Sequence, residues 1–447
     1  MNVIANVLIV IGTCQGYSLP RGGETNDVEP VSILQERWFK QPLNHFDNSD
    51  TRTFQTRYFE DSGHYSNGGP LVLEVGGEGH LDPNVLRLGQ SYEFSKEVGG
   101  RFLALEHRYY GKSSPFTNLT AENLRYLSVA QTLEDLANFV DTIRKSAPKN
   151  CKVVAFGCSY SASLATWFRY KYPHLVDAVW ASSAPLRAVS DFYEYLEVAG
   201  EVYSNVSGIC YNKIRDGYTE IKRRLSTPSG REEVVKALEN WSCGDPAEMN
   251  NSVILSNIRY VVADHNIPPD HGISSCHIFQ NVTNAFQAMI LFLKAKSAEV
   301  CSEEDTSYPN DEVAWTYQTC TEFGFSITLS SPKQPFHDSL SVIDSDLKSC
   351  STEFGEQFNK ELLKKGIDRI NRRYASQDID VTKVLSVHGA QDPWHKLGLY
   401  QERNGEAPVI VIPGVSHCAD QLSQDGEPPQ LVEARGRAKS IVKQWLK

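Results

Sequence analysis

The sequence predicts an α/β protein whose central sheet is mostly parallel. Short apolar, β-branched runs end in glycine-rich or charged loops, and amphipathic segments with helical spacing separate several of them. The apolar runs are continuous and lack the alternation of polar and apolar residues found in a sheet with one wet face. Such strands are typical of parallel sheets that helices cover on both faces.

The first 190 residues contain four predicted strands and two predicted helices. Ser128 and Gln131 occupy capping-box positions and define the start of the first helix. In chain order, the segments are strands within 70–83 and 100–113, a helix within 123–148, a strand at 152–157, a helix at 161–173 and a strand within 175–185.

Residues 191–375 differ from the preceding segment in their sequence pattern and cysteine content, and they are predicted to form a helical insertion. They contain helix-like segments, polar connections and most of the ten cysteines of the chain. These cysteines lack CxxC spacing and an HExxH partner, so they indicate disulfides and no metal site. They are Cys210, Cys243, Cys276, Cys301, Cys320 and Cys350.

The strand pattern returns after the insertion, within 381–394 and 407–420, and a helix closes the chain. We therefore predict one core in two parts, 38–190 and 376–447, with 191–375 as a cap over it. A connection this long between two strands of one sheet is expected to fold as a unit of its own.

The beginning of the chain and its sequons predict passage through the secretory pathway, to an extracellular or lysosomal and endosomal location. Residues 1–16 resemble a signal peptide, although no Lys or Arg precedes their apolar stretch, so a buried N-terminal strand is the alternative. Residues 17–37 are polar and are predicted to be a loose leader. Predicted glycosylation sites are Asn118, Asn205, Asn240, Asn250 and Asn281.

Charge and composition exclude several classes of partner. A net charge of −11 would repel phosphate backbones, so nucleic acid is not expected as a partner. No segment after the first is apolar enough to suggest a membrane helix. The glycines at 76–79 lack the spacing and the ending of a phosphate-binding loop, and we predict no cofactor.

Three residues at predicted strand ends indicate nucleophilic catalysis. Ser159 lies in a G-x-S-x-S sequence at a strand-to-helix junction, where a sharp turn can expose a serine above a sheet. A serine hydroxyl needs a histidine base and a carboxylate that orients the histidine. Asp392 and His417 each follow a late strand, in the order expected. His388 and His395 are weaker candidates for the base.

Two backbone groups are predicted to form the oxyanion hole. The Tyr160 N–H follows the nucleophile at the beginning of a helix. The Gly77 N–H lies in a glycine cluster after an early strand, where the missing side chain lets the backbone approach the substrate closely.

Several long motifs identify a family resemblance. The stretches "LEHRYYGKSSPF", "SYSASLATWFRYKYPHLVDAVWASSAP", "WTYQTCTEFGF" and "DPWHKLG", with a "GxSHC" histidine, resemble the secreted and lysosomal serine peptidases that include Pro-X carboxypeptidase, dipeptidyl peptidase II and thymus-specific serine protease. The likeness to the last is the strongest and runs from about residue 38 to the C-terminus.

The resemblance implies an α/β-hydrolase fold with a disulfide-bearing cap and a peptide as substrate. It implies cleavage after Pro or Ala near a peptide end, in mildly acidic compartments, and a possible homodimer. The nucleophile carries over to Ser159, the acid to Asp392 and the base to His417.

The chain departs from the family at the predicted nucleophile. Family members usually have glycine on both sides, whereas here Cys158 precedes Ser159 and Ser161 lies two residues after it. Ser161 is small enough for the turn. We interpret Cys158 as a small buried hydrophobe, with pairing to another cysteine as the alternative. Cys151 and Cys418 are likewise expected to be free.

Two other functions remain open from sequence alone. A catalytically inactive secreted binding protein would keep the fold while its altered turn misaligns Ser159, and an esterase would use the same three residues on another substrate. The direction of cleavage also stays open. Glu78 and Glu322 are candidates for the group that binds the charged end of a peptide.

Overall fold

The structure is a computed structural model, and it describes residues 34–263, 276–279, 282–301, 308–339, 341–423 and 425–447. The predicted signal peptide, the leader up to residue 33 and the sequon at Asn281 lie outside these residues. The first strand begins at Gln35, just before the predicted start of the core at residue 38.

A single sheet of eight strands forms the centre of the described chain, in the order β1-β2-β4-β3-β5-β6-β7-β8. β2 is antiparallel to both of its neighbours, β1 and β4. The five remaining pairs, β4–β3, β3–β5, β5–β6, β6–β7 and β7–β8, are parallel. The mostly parallel α/β class is therefore confirmed. The strands are Gln35–Pro42, Thr53–Asp61, Leu71–Val75, Arg101–Leu105, Val153–Cys158, Ala178–Ser182, Val384–Gly389 and Val409–Ile412.

Helices cover both faces of the sheet, as the α/β-hydrolase fold requires. Ser128 caps the fourth helix by accepting a hydrogen bond from the Gln131 N–H at 3.3 Å, which confirms the predicted capping position. The helices α1 to α14 are Pro83–Leu88, Gln90–Glu97, Ala121–Leu124, Val129–Lys145, Tyr160–Lys171, Glu194–Val206, Gly208–Leu225, Pro228–Ala237, Asn251–Ala263, Ala285–Val300, Asn310–Gln318, Val342–Phe354, Lys360–Tyr374 and Pro429–Trp445.

Neighbouring residues of each central strand enter different hydrophobic cores. Ala155 and Val179 pack with α4 and α5 on one face. Phe156 and Trp180 pack with α2 and α14 on the other. Since alternate side chains of a strand point to opposite faces, both faces must be apolar, and this explains the continuous apolar runs in the sequence.

The helices from Glu194 to Tyr374 connect β6 to β7, where the sequence predicts the cap. Three disulfides cross-link this segment, and they pair all six cysteines predicted to be bridged. The pairs are Cys210–Cys276, Cys243–Cys301 and Cys320–Cys350.

The expectation for two of the core cysteines was wrong. Cys158 and Cys418 form a disulfide with each other, which was the alternative for Cys158, whereas Cys151 is free, as expected, and is also buried. Both bridged residues are buried next to functional side chains, so their pairing depends on tertiary structure that sequence spacing does not reveal.

The surface bears on two further expectations. Among the described residues, no helix combines the length and apolar character that a membrane crossing requires. The described sequon asparagines are all exposed, as glycan attachment needs, and they are Asn118, Asn205, Asn240 and Asn250.

Candidate active site

Ser159 occupies a sharp turn between β5 and α5. Its backbone has φ 56° and ψ −127°, a strained conformation for a residue with a side chain, and its N–H donates to the Ser182 carbonyl at 2.9 Å. Gly157 lets the helix approach the strand, because a Cβ there would lie 2.6 Å from the Ser161 carbonyl carbon. The turn therefore has the strand-turn-helix geometry predicted for the nucleophile.

The Ser161 side chain explains why a serine is tolerated in place of a glycine. Its hydroxyl accepts from the Cys158 N–H and donates to the Cys158 carbonyl, both at 2.8 Å. These bonds satisfy two buried backbone groups within the turn itself. Ser161 thus closes the turn around Ser159.

Asp392 and His417 form a buried pair at the ends of β7 and β8. His417 Nδ1 lies 2.9 Å from Asp392 Oδ1, which also accepts the Trp394 N–H at 2.9 Å. Burial raises the pKa of Asp392, but the charge and hydrogen bond of His417 outweigh it, and the pKa lies below its usual value. Asp392 is therefore an ionised acceptor that orients the imidazole.

The structure brings the three predicted residues together. Cys158 and Cys418, the direct neighbours of Ser159 and His417, have Cα atoms 5.8 Å apart. The carboxyl group of Glu78 hydrogen-bonds the Ser159 side chain and also feels the charge of His417. Residues far apart in sequence thus meet at one edge of the sheet, beyond the carboxyl ends of its parallel strands.

The two weaker base candidates have other contacts. His388 Nε2 lies 2.9 Å from the Leu399 carbonyl and donates to it, and burial lowers its pKa to about 4. The His395 ring stacks on Tyr400 with centroids 4.2 Å apart. Both contacts are those of structural histidines, which leaves His417 as the imidazole paired with a carboxylate.

Glu78 is a buried acid in direct contact with the site. It lies on the loop after β3, and burial raises its pKa to about 7, against smaller opposing effects of His417 and Ser159. The carboxyl group therefore changes charge close to neutral pH. From the sequence, Glu78 is a candidate for binding a peptide end, and the structure shows its contact with Ser159.

The predicted oxyanion groups flank the turn. Tyr160 begins α5 directly after Ser159. A Cβ on Gly77 would lie 3.2 Å from the Ser161 Cβ, so the Gly77 backbone packs against the first turn of the same helix. Both backbone groups are thus close to Ser159.

The cap segment closes over the turn through the Tyr160 side chain. The Tyr160 hydroxyl accepts from Gln318 Nε2 at 2.9 Å, and Gln318 Oε1 accepts from the Tyr110 hydroxyl at 2.6 Å. The Tyr160 ring also contacts Trp315 and Phe323. This explains the "WTYQTCTEFGF" motif: α11 and the π-helix Thr319–Phe323 that follows it hold the cap against the nucleophile turn.

A small aromatic cavity adjoins the histidine. It has a volume of about 100 Å³, and its walls include Trp315, Phe325, Trp394 and Tyr195. The Trp394 ring is 6.3 Å from the His417 ring, so one wall of the cavity borders the predicted base. The aromatic walls can pack against a small apolar side chain, and Arg259 and Asp346 add charged groups to the rest of the lining.

Sequence reasoning missed the pairing of Cys158 with Cys418 and the role of Gln318. One pattern pointed to the disulfide: each cysteine is the immediate neighbour of a predicted catalytic residue. If the nucleophile and the base meet, their neighbours must also lie within bonding range. No comparable pattern in the sequence marks Gln318.

Comparison with known proteins identifies the family. The family model described as "Serine carboxypeptidase S28" matches residues 41–264 and 270–438. The chain is 31% identical to thymus-specific serine protease of Mus musculus over 459 residues, which covers 94% of this chain and 89% of that protein. It is 25% identical to lysosomal Pro-X carboxypeptidase of Bos taurus over 448 residues, covering 92% and 87%. The chain therefore belongs to the serine carboxypeptidase S28 family and is a serine-type peptidase.

Proposed function

We propose that this protein is a serine exopeptidase that cleaves after Pro or Ala near a peptide end, with Ser159 as nucleophile, His417 as general base and Asp392 as the residue that orients the base. The observation that supports this most is the buried Asp392–His417 pair beside a strained turn that carries Ser159. The three residues lie in the order and at the strand ends that the mechanism needs.

The Asp392–His417 pair supports a specific role for His417 in each proton transfer. His417 donates its Nδ1–H to Asp392, so Nε2 is the atom that accepts the Ser159 proton as Oγ attacks the peptide carbonyl. The N–H groups of Tyr160 and Gly77 stabilise the oxyanion. His417 then protonates the leaving amine, and the acyl-enzyme is hydrolysed by water that His417 deprotonates.

Burial of the site supports action on peptide ends. Ser159 is 7% exposed and His417 is 3% exposed, and the cap packs directly on Tyr160. A folded protein loop cannot reach a nucleophile so covered, whereas the end of an extended peptide can enter. The cavity beside Trp394 is small, and its aromatic walls suit the ring of proline or the methyl group of alanine, although Arg259 and Asp346 also line it.

We also propose a compartment of the secretory pathway, extracellular or lysosomal. Four disulfides among the described residues indicate an oxidising environment, and the exposed sequon asparagines are accessible for glycosylation. The bovine relative is itself named a lysosomal enzyme.

A peptide library tests the proposal. The purified protein is incubated with the library at pH 5 and pH 7, and N-acetylated and C-amidated copies of each cleaved peptide show which end is recognised. We expect release of one or two terminal residues after Pro or Ala. The Ser159→Ala variant should release none, and Ser95→Ala, which removes a buried hydroxyl bound to the Tyr92 carbonyl in α2, should stay active.

Three results would contradict the proposal. Absence of labelling by a serine-directed phosphonate would indicate an inactive relative. Hydrolysis of short acyl esters without peptide cleavage would indicate an esterase. Equal activity of Ser159→Ala and the wild type would exclude Ser159 as the nucleophile.

A further inference from the structure

One disulfide of this protein lies directly beside the proposed catalytic residues. Cys158 immediately precedes Ser159, and Cys418 immediately follows His417. The sequence separation is 260 residues, yet the two Cα atoms are 5.8 Å apart. Both cysteines are buried, with exposed fractions of 1% and 4%. A covalent bond therefore joins the nucleophile turn to the loop that carries the base.

The other disulfides of the described residues have a different location. They lie within the cap and join residues 66, 58 and 30 positions apart. None of them includes a neighbour of a proposed catalytic residue. The pair Cys158–Cys418 instead joins the two parts of the core, across the whole insertion.

The sheet order shows why such a link matters. β6 and β7 lie between β5, which leads to Ser159, and β8, which leads to His417. Neighbouring strands are about 4.8 Å apart, so β5 and β8 are separated by about 14 Å. The loop after β8 must therefore reach back across two strand ends to bring the imidazole to the nucleophile.

Hydrogen bonds join the loop after β8 to β6 and to Ser183, the residue directly after β6. The Cys418 N–H donates to Ser183 Oγ at 3.0 Å, and Trp180 Nε1 donates to Asp420 Oδ2 at 2.8 Å. The Ser182 hydroxyl also bonds Asp420. β6 is still one strand short of β5. The disulfide adds a direct covalent link from the loop to the last residue of β5.

We propose that the Cys158–Cys418 disulfide is a positioning device that keeps the His417 imidazole within reach of Ser159, so that full peptidase activity requires the oxidised pair. This inference rests on the proposed function. Dithiothreitol supplies two electrons and two protons, which break the Cys158–Cys418 S–S bond and leave two thiols on the protein. The reagent itself is oxidised to its cyclic disulfide. The base is then held by hydrogen bonds to the neighbouring strand.

The first test compares two double variants. Cys158→Ala/Cys418→Ala removes the core disulfide, and Cys243→Ala/Cys301→Ala removes a cap disulfide outside the π-helix as the matched control. Both are assayed at a temperature at which circular dichroism shows them folded. We expect the core variant to lose about 10- to 100-fold in kcat and in the rate of phosphonate labelling, with KM almost unchanged, because a displacement of about 1 Å suffices for such a loss. The control should keep its kcat.

The second test uses the wild type, and it decides the matter if the core variant does not fold. The enzyme is titrated with dithiothreitol in the presence of EDTA, because the ligand atoms of Cys158, His417 and Cys418 lie within 4.8 Å of one another and the freed thiols could hold a metal ion. At each dithiothreitol concentration, peptidase activity is measured first. The free cysteine thiols are then alkylated, and the alkylated positions are identified by mass spectrometry. Activity should fall in step with alkylation at positions 158 and 418 and return on reoxidation.

The outcomes separate the two proposals. Full kcat in the folded core variant, or in reduced wild type with both thiols freed, would overturn the positioning role while leaving the peptidase proposal intact. An oxidised wild type that neither cleaves peptides nor reacts with the phosphonate would overturn both.

Discussion

Replacing Glu322 by Gln should change how stability depends on pH. Glu322 lies in the π-helix of the cap and is 3% exposed. Burial raises its pKa to about 7, although the Val129 N–H donates to it at 3.0 Å and Arg369 lies 3.8 Å away. The folded protein therefore binds a proton at Glu322 more tightly than the unfolded chain does.

The size of the effect follows from the two pKa values. The ordinary pKa is 4.5 and the folded value is about 7, so the unfolding free energy of the wild type falls as pH rises through this interval. At about 1.4 kcal/mol per pKa unit, the loss is about 1 kcal/mol at pH 5 and about 3 kcal/mol at pH 8. The amide introduced by Glu322→Gln is neutral in both the folded and the unfolded state. The unfolding free energy of this variant therefore does not include the pH-dependent decrease caused by Glu322.

Urea unfolding at half-unit pH steps from 5 to 8, with the disulfides intact, measures the difference. The stability of Glu322→Gln relative to wild type should rise by about 2 to 3 kcal/mol across this range. Loss of a hydrogen bond in the variant would change its unfolding free energy by the same amount at every pH, so the rise with pH would remain. Glu402→Gln, at an exposed glutamate, is the control and should follow the wild type. If the unfolding free energies of Glu322→Gln and wild type changed with pH in the same way, the argument would be refuted.

Three further predictions concern the site. Asp392→Asn should lower kcat roughly 10⁴-fold with a small change in KM, because the amide cannot hold the required tautomer of His417; a loss under tenfold in steady-state assays would contradict this. Glu78→Gln should remove a titration near pH 7 from the profile of kcat/KM, since its carboxyl changes charge beside the nucleophile; an identical profile would exclude that influence. Gly157→Ala should abolish phosphonate labelling of Ser159, because its Cβ would collide with helix backbone; normal labelling would show that the turn can adapt.

The sequence was sufficient to predict that Ser159, Asp392 and His417 lie after strand ends of one sheet, because each of these placements depends on local pattern. An apolar run followed by a helix places Ser159 at a strand end, and the same rule places Asp392 and His417. Parallel strands end at the same edge of the sheet. Three separate local predictions thus converge on one site, and no knowledge of side-chain packing is required.

Features that depend on tertiary contacts could not be predicted in the same way. The edge strand Gln35–Pro42 is largely polar and exposed, so it lacks the apolar run by which the buried strands were found. The contact of Gln318 with Tyr160 and the pairing of Cys158 with Cys418 both arise where the two parts of the core and the cap meet. Only the adjacency of the two cysteines to Ser159 and His417 hinted at their pairing, and sequence spacing does not fix the distances themselves.

The buried titratable groups favour a mildly acidic working range. Glu78 and Glu322 have pKa values of about 7 and are protonated below it, while His107 and His388 have pKa values of about 4 and are neutral above it. The two acids lower stability as pH rises from about 4.5 to 7, and the two histidines lower it as pH falls from about 6.5 to 4. Between about pH 4 and 7 all four groups are neutral in the folded protein, whereas Asp392 beside His417 is ionised over most of this range because its pKa is lowered. These four groups therefore add no charge to the interior, while Asp392 keeps the proposed catalytic charge, under the acidic conditions that the resemblance implies.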